Sequence, residues 1–433
     1  MRVSGWGRYP AIDAQISRPA TASAAAALLN ETPAFTPRGL ARSYGDSALG
    51  AHILDASGLD CLLDFDAQSG QLRCGAGVSL GTILTVFLPR GWLLPVTPGT
   101  RHVSIGGALA SDVHGKNHHR DGCFSEHVKT FRLLLASGDT VTCSRTENAA
   151  LFHATCGGMG LTGLIVEATL GLRRVTSAYI AQTTRKTACL EDTLEAFEAT
   201  QDARYSVAWI DCLARGAALG RSLVTTGDEV PEGGLNLGAP ARLALPIDFP
   251  SCVMNHGSIA AFNMLYYNRV LRSGMTRRVH CEKVFYPLDG VRDWNRIYGT
   301  RGFLQYQFVV PFEGGAAALR SILTKIAAYG LASFLTVLKV LGRANANLLS
   351  FPTEGYTLAI DFPMDPALMT QLDELDSYVA DCGGRIYLAK DARMNASMFK
   401  RTYPRWEEFQ NVRAQYGAIG RFQSLQSVRL GLE

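Results

Sequence analysis

Three glycine-rich segments within the first 165 residues constrain the fold of this chain most strongly. They are RGLARSYGDS (38–47), PGT with SIGGALASDVHGKN (98–100 and 104–117), and GGMGLTG (157–163). Glycine lets the backbone approach a ligand closely, and successive N–H groups in turns form nests for anions. One such segment is equally typical of an ordinary turn. Three in one predicted domain favour a pocket for a ligand with a pyrophosphate, whose charge needs such donors.

A fourth glycine-rich stretch, GAGVSLG (75–81), invites comparison with the dinucleotide-binding turn of nicotinamide dehydrogenases. Its spacing does not match, because Leu80 stands where the third glycine is required and that glycine falls at position 81. No strand ending in an acidic residue follows at the right distance. The sequence also lacks a Walker loop, a zincin helix and the G-x-S-x-G elbow of hydrolases. These classes are therefore disfavoured.

The periodicity of the chain predicts an α+β fold. In the first half it predicts a helix over 20–30, hairpins over 59–78 and 127–145, helices over 79–92 and 147–160, and a strand over 161–175. In the second half it predicts strands over 301–311, 331–342, 355–363 and 385–391, with helices over 314–330 and 365–384. This β-α-β-β-α-β order is typical of a ferredoxin-like layer, an antiparallel sheet with helices on one face. We expect a first domain over 1–178, a second domain over 179–384 with a mobile loop around 226–258, and no internal repeat.

Charge and cysteine usage exclude several other roles. The 42 basic and 38 acidic residues give a net charge of only +4, which argues against a nucleic-acid partner. None of the ten cysteines lies in a metal-ligand spacing, so we expect free, mostly buried thiols and no metal site. We also expect no signal peptide and no transmembrane helix, because no apolar run reaches 18 residues. A cytoplasmic location, or a peripheral one at the inner membrane face, follows as an expectation.

The glycine-rich order and the block ALFHATCGGMGLTGLIVEATL (150–170) resemble the FAD domain of the vanillyl-alcohol-oxidase superfamily. Within it, RGLARSYGD, PGTRHVSIGGALASDVHGKNHH, GFLQYQFVVP and RIYLAKDAR resemble the decaprenylphosphoryl-β-D-ribose 2′-oxidase family, the flavin subunits of ribose-to-arabinose epimerases in cell-wall synthesis. The resemblance runs from residue 5 nearly to the C-terminus. It implies a two-part FAD-binding domain, in which 385–433 complete 1–178, and a substrate domain with an antiparallel sheet.

The resemblance implies a set of FAD-binding residues. The superfamily often tethers FAD through a histidine in the first loop, but SYGD (43–46) has none, so FAD is expected to be non-covalent. The implied cofactor-binding residues are Arg38, Gly39, Leu40, Ala41, Arg42, Ser43, Tyr44, Gly45, Asp46, Ser47, Gly99, Ser104, Ile105, Gly106, Gly107, Ser111, Asp112, Val113, His114, Ile165 and Tyr387.

The resemblance also implies the substrate side. Lysines suit a phosphate, and two glutamines at i and i+2 share one strand face, where they can bond sugar hydroxyls. A cation near the flavin stabilises the negative charge of its reduced form. The implied substrate-binding residues are Lys116, Gln305, Gln307, Lys339 and Lys390, and the implied catalytic residues are Lys390, His114 and Tyr44.

The implied reaction is oxidation of the C2′ hydroxyl of a lipid-linked or phosphorylated ribofuranose to a 2-keto sugar, which a partner short-chain reductase would then reduce. Peripheral membrane contact is compatible with a lipid-linked substrate. The chain departs from the family at Ala359, where members carry a cysteine, and at Thr357, where an asparagine is usual. These changes imply different substrate contacts. An aldonolactone or alditol oxidase of the same fold and a non-catalytic ligand-binding relative remain alternatives.

Overall fold

The computed structural model describes residues 1–239, 241 and 243–433. The strands are β1 (Arg2–Ser4), β2 (Ala11–Asp13), β3 (Gln15–Ser17), β4 (Thr36–Arg38), β5 (His52–Asp55), β6 (Leu62–Asp66), β7 (Gln71–Gly75), β8 (Trp92–Leu93), β9 (Val128–Leu134), β10 (Thr140–Ser144), β11 (Leu164–Gly171), β12 (Arg173–Arg174), β13 (Tyr179–Thr187), β14 (Tyr205–Ile210), β15 (Ser222–Glu229), β16 (Leu243–Ala244), β17 (Met275–His280), β18 (Val291–Arg292), β19 (Phe303–Pro311), β20 (Thr336–Leu341), β21 (Gly355–Pro363) and β22 (Arg385–Ile386). The helices are α1 (Ala22–Leu28), α2 (Leu80–Phe87), α3 (Ile105–Ala110), α4 (His118–Asp121), α5 (Ala149–Thr155), α6 (Leu190–Glu198), α7 (His256–Asn268), α8 (Cys281–Phe285), α9 (Gly315–Ala328), α10 (Pro366–Asp381), α11 (Ala396–Thr402), α12 (Trp406–Gln415) and α13 (Leu425–Arg429).

The first half of the chain builds two small sheets around the glycine-rich segments. An antiparallel sheet has the order β10-β9-β11-β7-β6, and a parallel one has the order β3-β5-β4. The predicted hairpins are confirmed as β6–β7 and β9–β10. Helix α2 begins where predicted, because the Ser79 hydroxyl accepts a bond from the Thr82 N–H at 2.9 Å and caps its first turn.

The second half builds an eight-stranded antiparallel sheet with the order β17-β13-β15-β14-β20-β21-β19-β22. Strands β19 to β22, with α9 and α10, form the predicted β-α-β-β-α-β unit. Strands β13, β14, β15 and β17, with α6 and α7, form a second unit of the same order, and the two units join edge to edge where β14 pairs with β20. This repeat lies in the topology and has no counterpart in the residue pattern, in which we found no internal repeat.

Two segments differ from the predicted elements. The strand predicted over 385–391 ends at Ile386, because the chain turns back there and the Tyr387 carbonyl accepts bonds from the N–H groups of Lys390 and Asp391. The loop predicted around 226–258 begins later than expected, because residues up to Glu229 still pair with β13 in the sheet. That loop includes Pro240 and Arg242, which lie outside the described residues, and its mobility stays a prediction.

The C-terminal segment packs back against the first half of the chain. Phe422 forms a bridge with Phe35 and shares a buried apolar cluster with it. The fully buried Arg413 donates bonds to the carbonyls of Leu161 and Phe422, both at 2.9 Å. The predicted domain boundaries at 178 and 385 stay predictions. Within the described part of the chain, no helix has both the length and the apolar character needed to cross a bilayer.

Candidate functional site

A cleft of about 1570 Å³ lies between the glycine-rich segments and one face of the eight-stranded sheet. Ligand pockets for small molecules typically enclose ~300–1,000 Å³, so this cleft has room for a dinucleotide and a second ligand. Residues of all three glycine-rich segments line one wall, including Gly39, Gly106 and Gly163. Strands β14, β15, β19, β20 and β21 contribute the facing wall.

The first glycine-rich segment presents free backbone donors to the cleft. Among the described residues, no backbone or side-chain acceptor bonds the N–H groups of residues 40–43. Ala41 adopts a left-handed φ of 53°, a conformation found in anion nests. A methyl group added at Gly39 would lie 2.2 Å from the Ser104 hydroxyl, whereas one added at Gly99 would meet nothing within 4 Å. This wall therefore fits a group with a pyrophosphate.

Most of the predicted cofactor-binding residues line this cleft. Four do not: Gly45 packs against the Asp391 carbonyl, Ile105 lies in the core, and Asp46 and Asp112 are buried in polar networks. Those that line the cleft are Arg38, Gly39, Leu40, Ala41, Arg42, Ser43, Tyr44, Ser47, Gly99, Ser104, Gly106, Gly107, Ser111, Val113, His114, Ile165 and Tyr387.

The predicted substrate-binding residues lie on the facing wall or beside it. Gln305 and Gln307 both line the cleft from β19, as their i, i+2 spacing predicted. The pairing of β19 with β21 places Ala359 directly opposite Gln307, and Ala359 also lines the cleft. Lys339 lines it from β20.

Lys390 extends from the turn after β22 onto the ring of Tyr44. Its Nζ lies 4.0 Å from the ring centroid, and the Tyr44 N–H donates to the Ala389 carbonyl at 3.0 Å. Burial lowers the pKa of Lys390 to about 7, although the nearby Asp361 carboxyl raises it and Lys339 lowers it further. Burial raises the pKa of Tyr44 well above its usual value, so this phenol stays neutral. The turn thus brings two predicted catalytic residues into contact.

A hydrogen-bond chain orients His114, the third predicted catalytic residue. The Thr357 hydroxyl donates to the Phe308 carbonyl at 2.8 Å and accepts a bond from Gln307 Nε2 at 3.2 Å. The same Gln307 nitrogen lies 3.2 Å from His114 Nε2, which must therefore accept. This leaves His114 Nδ1 as a buried N–H without a partner among the described residues. Burial lowers the pKa of His114 well below its usual value, so the ring is neutral.

The other two lysines of the predicted substrate site differ in their environment. The Lys116 ammonium donates to the backbone carbonyls of Val284 and Phe285, the second at 3.1 Å, so it is already partly satisfied. Burial lowers its pKa to about 7. Burial lowers the pKa of Lys339 to about 8, and no carboxylate of the described residues contributes to this shift. Lys339 is therefore the better placed of the two to meet an anionic ligand.

Asp361 is a buried carboxyl that the sequence reasoning missed. Its Oδ1 accepts a bond from Gln305 Nε2 at 2.5 Å, and its Oδ2 has no partner among the described residues. Burial raises its pKa to about 7, while the bond from Gln305 and the charge of Lys390 lower it. The sequence feature that could have revealed it is the single acidic residue within the apolar strand GYTLAIDFP (355–363).

Residues 11–144 match a family model described as an FAD binding domain. The chain is 38% identical over 411 residues to decaprenylphosphoryl-beta-D-ribose oxidase of Mycolicibacterium smegmatis, covering 91% of this chain and 88% of that protein. It is 32% identical over 377 residues to an uncharacterized protein of Streptomyces coelicolor, covering 82% of this chain and all of that protein. It is also 30% identical over 107 residues to delta(24)-sterol reductase of Rattus norvegicus, covering 25% of this chain and 21% of that protein.

The matches to known proteins and the geometry of the cleft both indicate an FAD-binding site. The FAD-binding model covers the first two glycine-rich segments, and the first of them supplies the wall with free N–H donors. The cofactor of the chain is FAD, and the chain is a flavin-dependent oxidoreductase with an α+β fold. Since its relative in M. smegmatis is matched over nearly the whole chain, this protein belongs to the decaprenylphosphoryl-β-D-ribose oxidase family of FAD-binding proteins.

Proposed function

We propose that this protein oxidises the C2′ hydroxyl of a lipid-linked ribofuranosyl phosphate to the 2-keto sugar. The observation that carries the proposal is the sheet wall of the cleft, where Gln305, Gln307, Lys339 and Lys390 converge opposite the FAD-binding loops. Bound FAD supplies the hydride acceptor. The lysines suit a phosphate and the glutamine amides suit sugar hydroxyls. The substrate named for the M. smegmatis relative has both groups.

Lys390 is the proposed base for the C2′ hydroxyl proton. With a pKa of about 7, a large fraction of its amine is neutral near neutral pH and can accept a proton. Once protonated, the ammonium offsets the negative charge that the cofactor gains. The Tyr44 ring contacts Nζ, and it attracts the ammonium once the amine has taken the proton.

His114 is proposed to donate a hydrogen bond and not to act as the base. Its Nε2 already accepts from Gln307, and its Nδ1 therefore carries the hydrogen. A buried N–H without a partner is costly, so a bound acceptor at this position gains a bond that the free protein lacks. The cleft residues Lys339 and Lys116 are proposed to hold the substrate phosphate.

Anaerobic flavin absorbance tests the proposed function. Purified protein with bound FAD is mixed with polyprenyl-phosphoryl ribose, and bleaching of the oxidised flavin bands is the expected result. Matched mixtures contain an aldonolactone and an alditol instead. Bleaching by these free sugars alone would favour the sugar-oxidase alternative, and bleaching by none would favour a ligand-binding protein without turnover.

The product chemistry implies a second protein. To complete epimerisation, a hydride donor must reduce the 2-keto sugar from the opposite face, and a reductase with a nicotinamide cofactor would supply that hydride. We propose a short-chain reductase as this partner.

Acid precipitation tests the expectation that FAD is bound non-covalently. A non-covalent flavin is released into the supernatant, whereas a tethered flavin would stay with the precipitated protein.

A further inference from the structure

The segment from Leu237 to Met275 exposes an unusual amount of apolar surface. Nine of the fifteen large apolar side chains exposed in the described residues lie within it. Leu271 is 92% exposed, Leu265 68% and Ile247 66%. Scattered apolar residues are normal on a protein surface, but such a concentration marks an interaction site. The nine are Leu237, Leu243, Ile247, Val253, Phe262, Met264, Leu265, Leu271 and Met275, and we call them the apolar patch.

Helix α7 holds the centre of the apolar patch in a fixed orientation. Only Ile259 and Asn263 of this helix are buried, and the Asn263 amide donates to Asp211 at 2.9 Å and to the Ser333 carbonyl at 3.2 Å. The hydroxyl of Tyr267 adds a bond to the Thr187 carbonyl at 2.9 Å. The helix therefore buries Ile259 and an amide but presents Met264 and Leu265 outward, where an ordinary amphipathic surface helix has polar side chains.

Arginines predominate among the charged residues around the apolar patch. Residues 249–281 contain four arginines and no aspartate or glutamate, and Asp248, the one acidic residue of 237–275, forms an ion pair with Arg8. Arg269, Arg272, Arg277 and Arg278 are all exposed, two just after α7 and two on the edge strand β17. A surface that combines exposed apolar side chains with surrounding arginines is complementary to an anionic lipid bilayer.

The apolar patch continues into the mouth of the cleft. Leu237 and Phe262 line the cleft as well as being exposed, and Tyr266 of α7 stacks between Phe262 and Trp209 inside it, with ring centroids 5.5 Å and 4.7 Å away. Arg269 covers the outer side of Tyr266 at 3.7 Å. An apolar path thus connects the outer surface with the sheet wall that carries Gln307.

We propose that the apolar patch and its arginines dock this protein onto an anionic membrane surface, with the mouth of the cleft toward the lipid. This inference rests on the proposed function, because it explains how a polyprenyl tail stays in the bilayer while the sugar phosphate enters the cleft. The edge strand β17 offers a competing use, since an exposed edge can pair with a second copy of the chain. That arrangement is one outcome of the test.

Vesicle sedimentation of the FAD-loaded protein tests the docking. The vesicles contain either phosphatidylcholine alone or phosphatidylcholine with phosphatidylglycerol, without substrate. The unmodified protein is expected to sediment with the anionic vesicles. The double variant Leu265→Glu/Leu271→Glu and the double variant Arg272→Glu/Arg277→Glu are each expected to weaken this binding by roughly tenfold or more.

A matched control is the double variant Leu62→Glu/Leu63→Glu, which changes two exposed leucines on β6 and should bind vesicles as the unmodified protein does. Equal sedimentation of all variants, or no binding to anionic vesicles, would overturn the docking. A dimer that dissociates in the patch variants would assign the surface to a second copy. None of Leu265, Leu271, Arg272 and Arg277 lines the cleft, so turnover of a short, water-soluble ribosyl phosphate tests the proposed function separately.

Discussion

The Lys390 ammonium lies 4.0 Å from the centroid of the Tyr44 ring, across the cleft boundary between the first glycine-rich segment and the sheet. Tyr44 belongs to the FAD-binding wall, and Lys390 comes from the turn after the last strand of the sheet. This contact places a group that can carry a proton beside the cofactor wall.

Lys390→Arg is expected to keep FAD but to reduce the rate of flavin reduction by roughly 100-fold or more, since a general base contributes about that much. The guanidinium retains the positive charge but stays protonated, so it cannot accept the hydroxyl proton. Anaerobic stopped-flow absorbance measures the rate, and the flavin-to-protein absorbance ratio measures FAD content. Lys390→Ala should also keep FAD and lose turnover. Normal reduction in Lys390→Arg would leave Lys390 only an electrostatic role.

The rate of flavin reduction is expected to rise with pH through about 7 and then level off. The reason is that the neutral amine of Lys390 is the active form and its pKa is about 7. Asp361→Asn should move this rise to lower pH, because the Asp361 carboxylate raises the pKa of Lys390. The asparagine oxygen can still accept the bond from Gln305, so the variant isolates the charge. If the rise stays at the same pH in Asp361→Asn, the charge of Asp361 does not affect the pKa of the group that limits the rate.

Arg429→Met is expected to destabilise the protein by roughly 3 kcal/mol or more and to lower its FAD content. Arg429 bonds Asp46 at 2.7 Å and Asp391 at 2.9 Å. The change leaves the buried Asp46 carboxylate without its charged partner, while Asp391 keeps, among the described residues, only the bonds from the N–H groups of Arg393 and Met394. Asp46 belongs to the first glycine-rich segment, so its displacement disturbs the FAD wall. Urea unfolding measures the loss. Arg405→Met, which breaks an exposed pair with Glu408, is the control and should change little.

Gly39→Ala is expected to lower FAD content without preventing folding. The added methyl group would lie 2.2 Å from the Ser104 hydroxyl, which caps α3 by accepting from the Gly107 N–H. The cap and the first segment must therefore move apart. Gly171→Ala is a matched control, because its methyl group would meet only the His127 carbonyl at 3.9 Å. Unchanged FAD content in Gly39→Ala would argue against this close approach.

Local pattern was enough to predict the hairpins, the helices and the β-α-β-β-α-β order of the second half. Local pattern was not enough for the turn at 387–391, because the apolar residues of RIYLAKD (385–391) suit a strand and the turn depends on tertiary packing. The spacing of the glutamine pair predicted that both side chains share one strand face, whereas only the resemblance implied that this face meets the substrate. The role of Asp361 could not be predicted, since its partner Gln305 lies 56 residues away and only the sheet register brings the two together.

The proposed function requires that C2′ of the ribose is the carbon that loses hydride to the flavin, and an isotope effect tests this most directly. Polyprenyl-phosphoryl ribose with deuterium at C2′ is mixed anaerobically with the FAD-loaded protein, and flavin bleaching is followed by stopped flow. We expect bleaching to be slower than with unlabelled substrate, whereas deuterium at C3′ should leave the rate unchanged. Equal rates for the unlabelled and C2′-labelled substrates, with slowing by the C3′ label, would contradict the account.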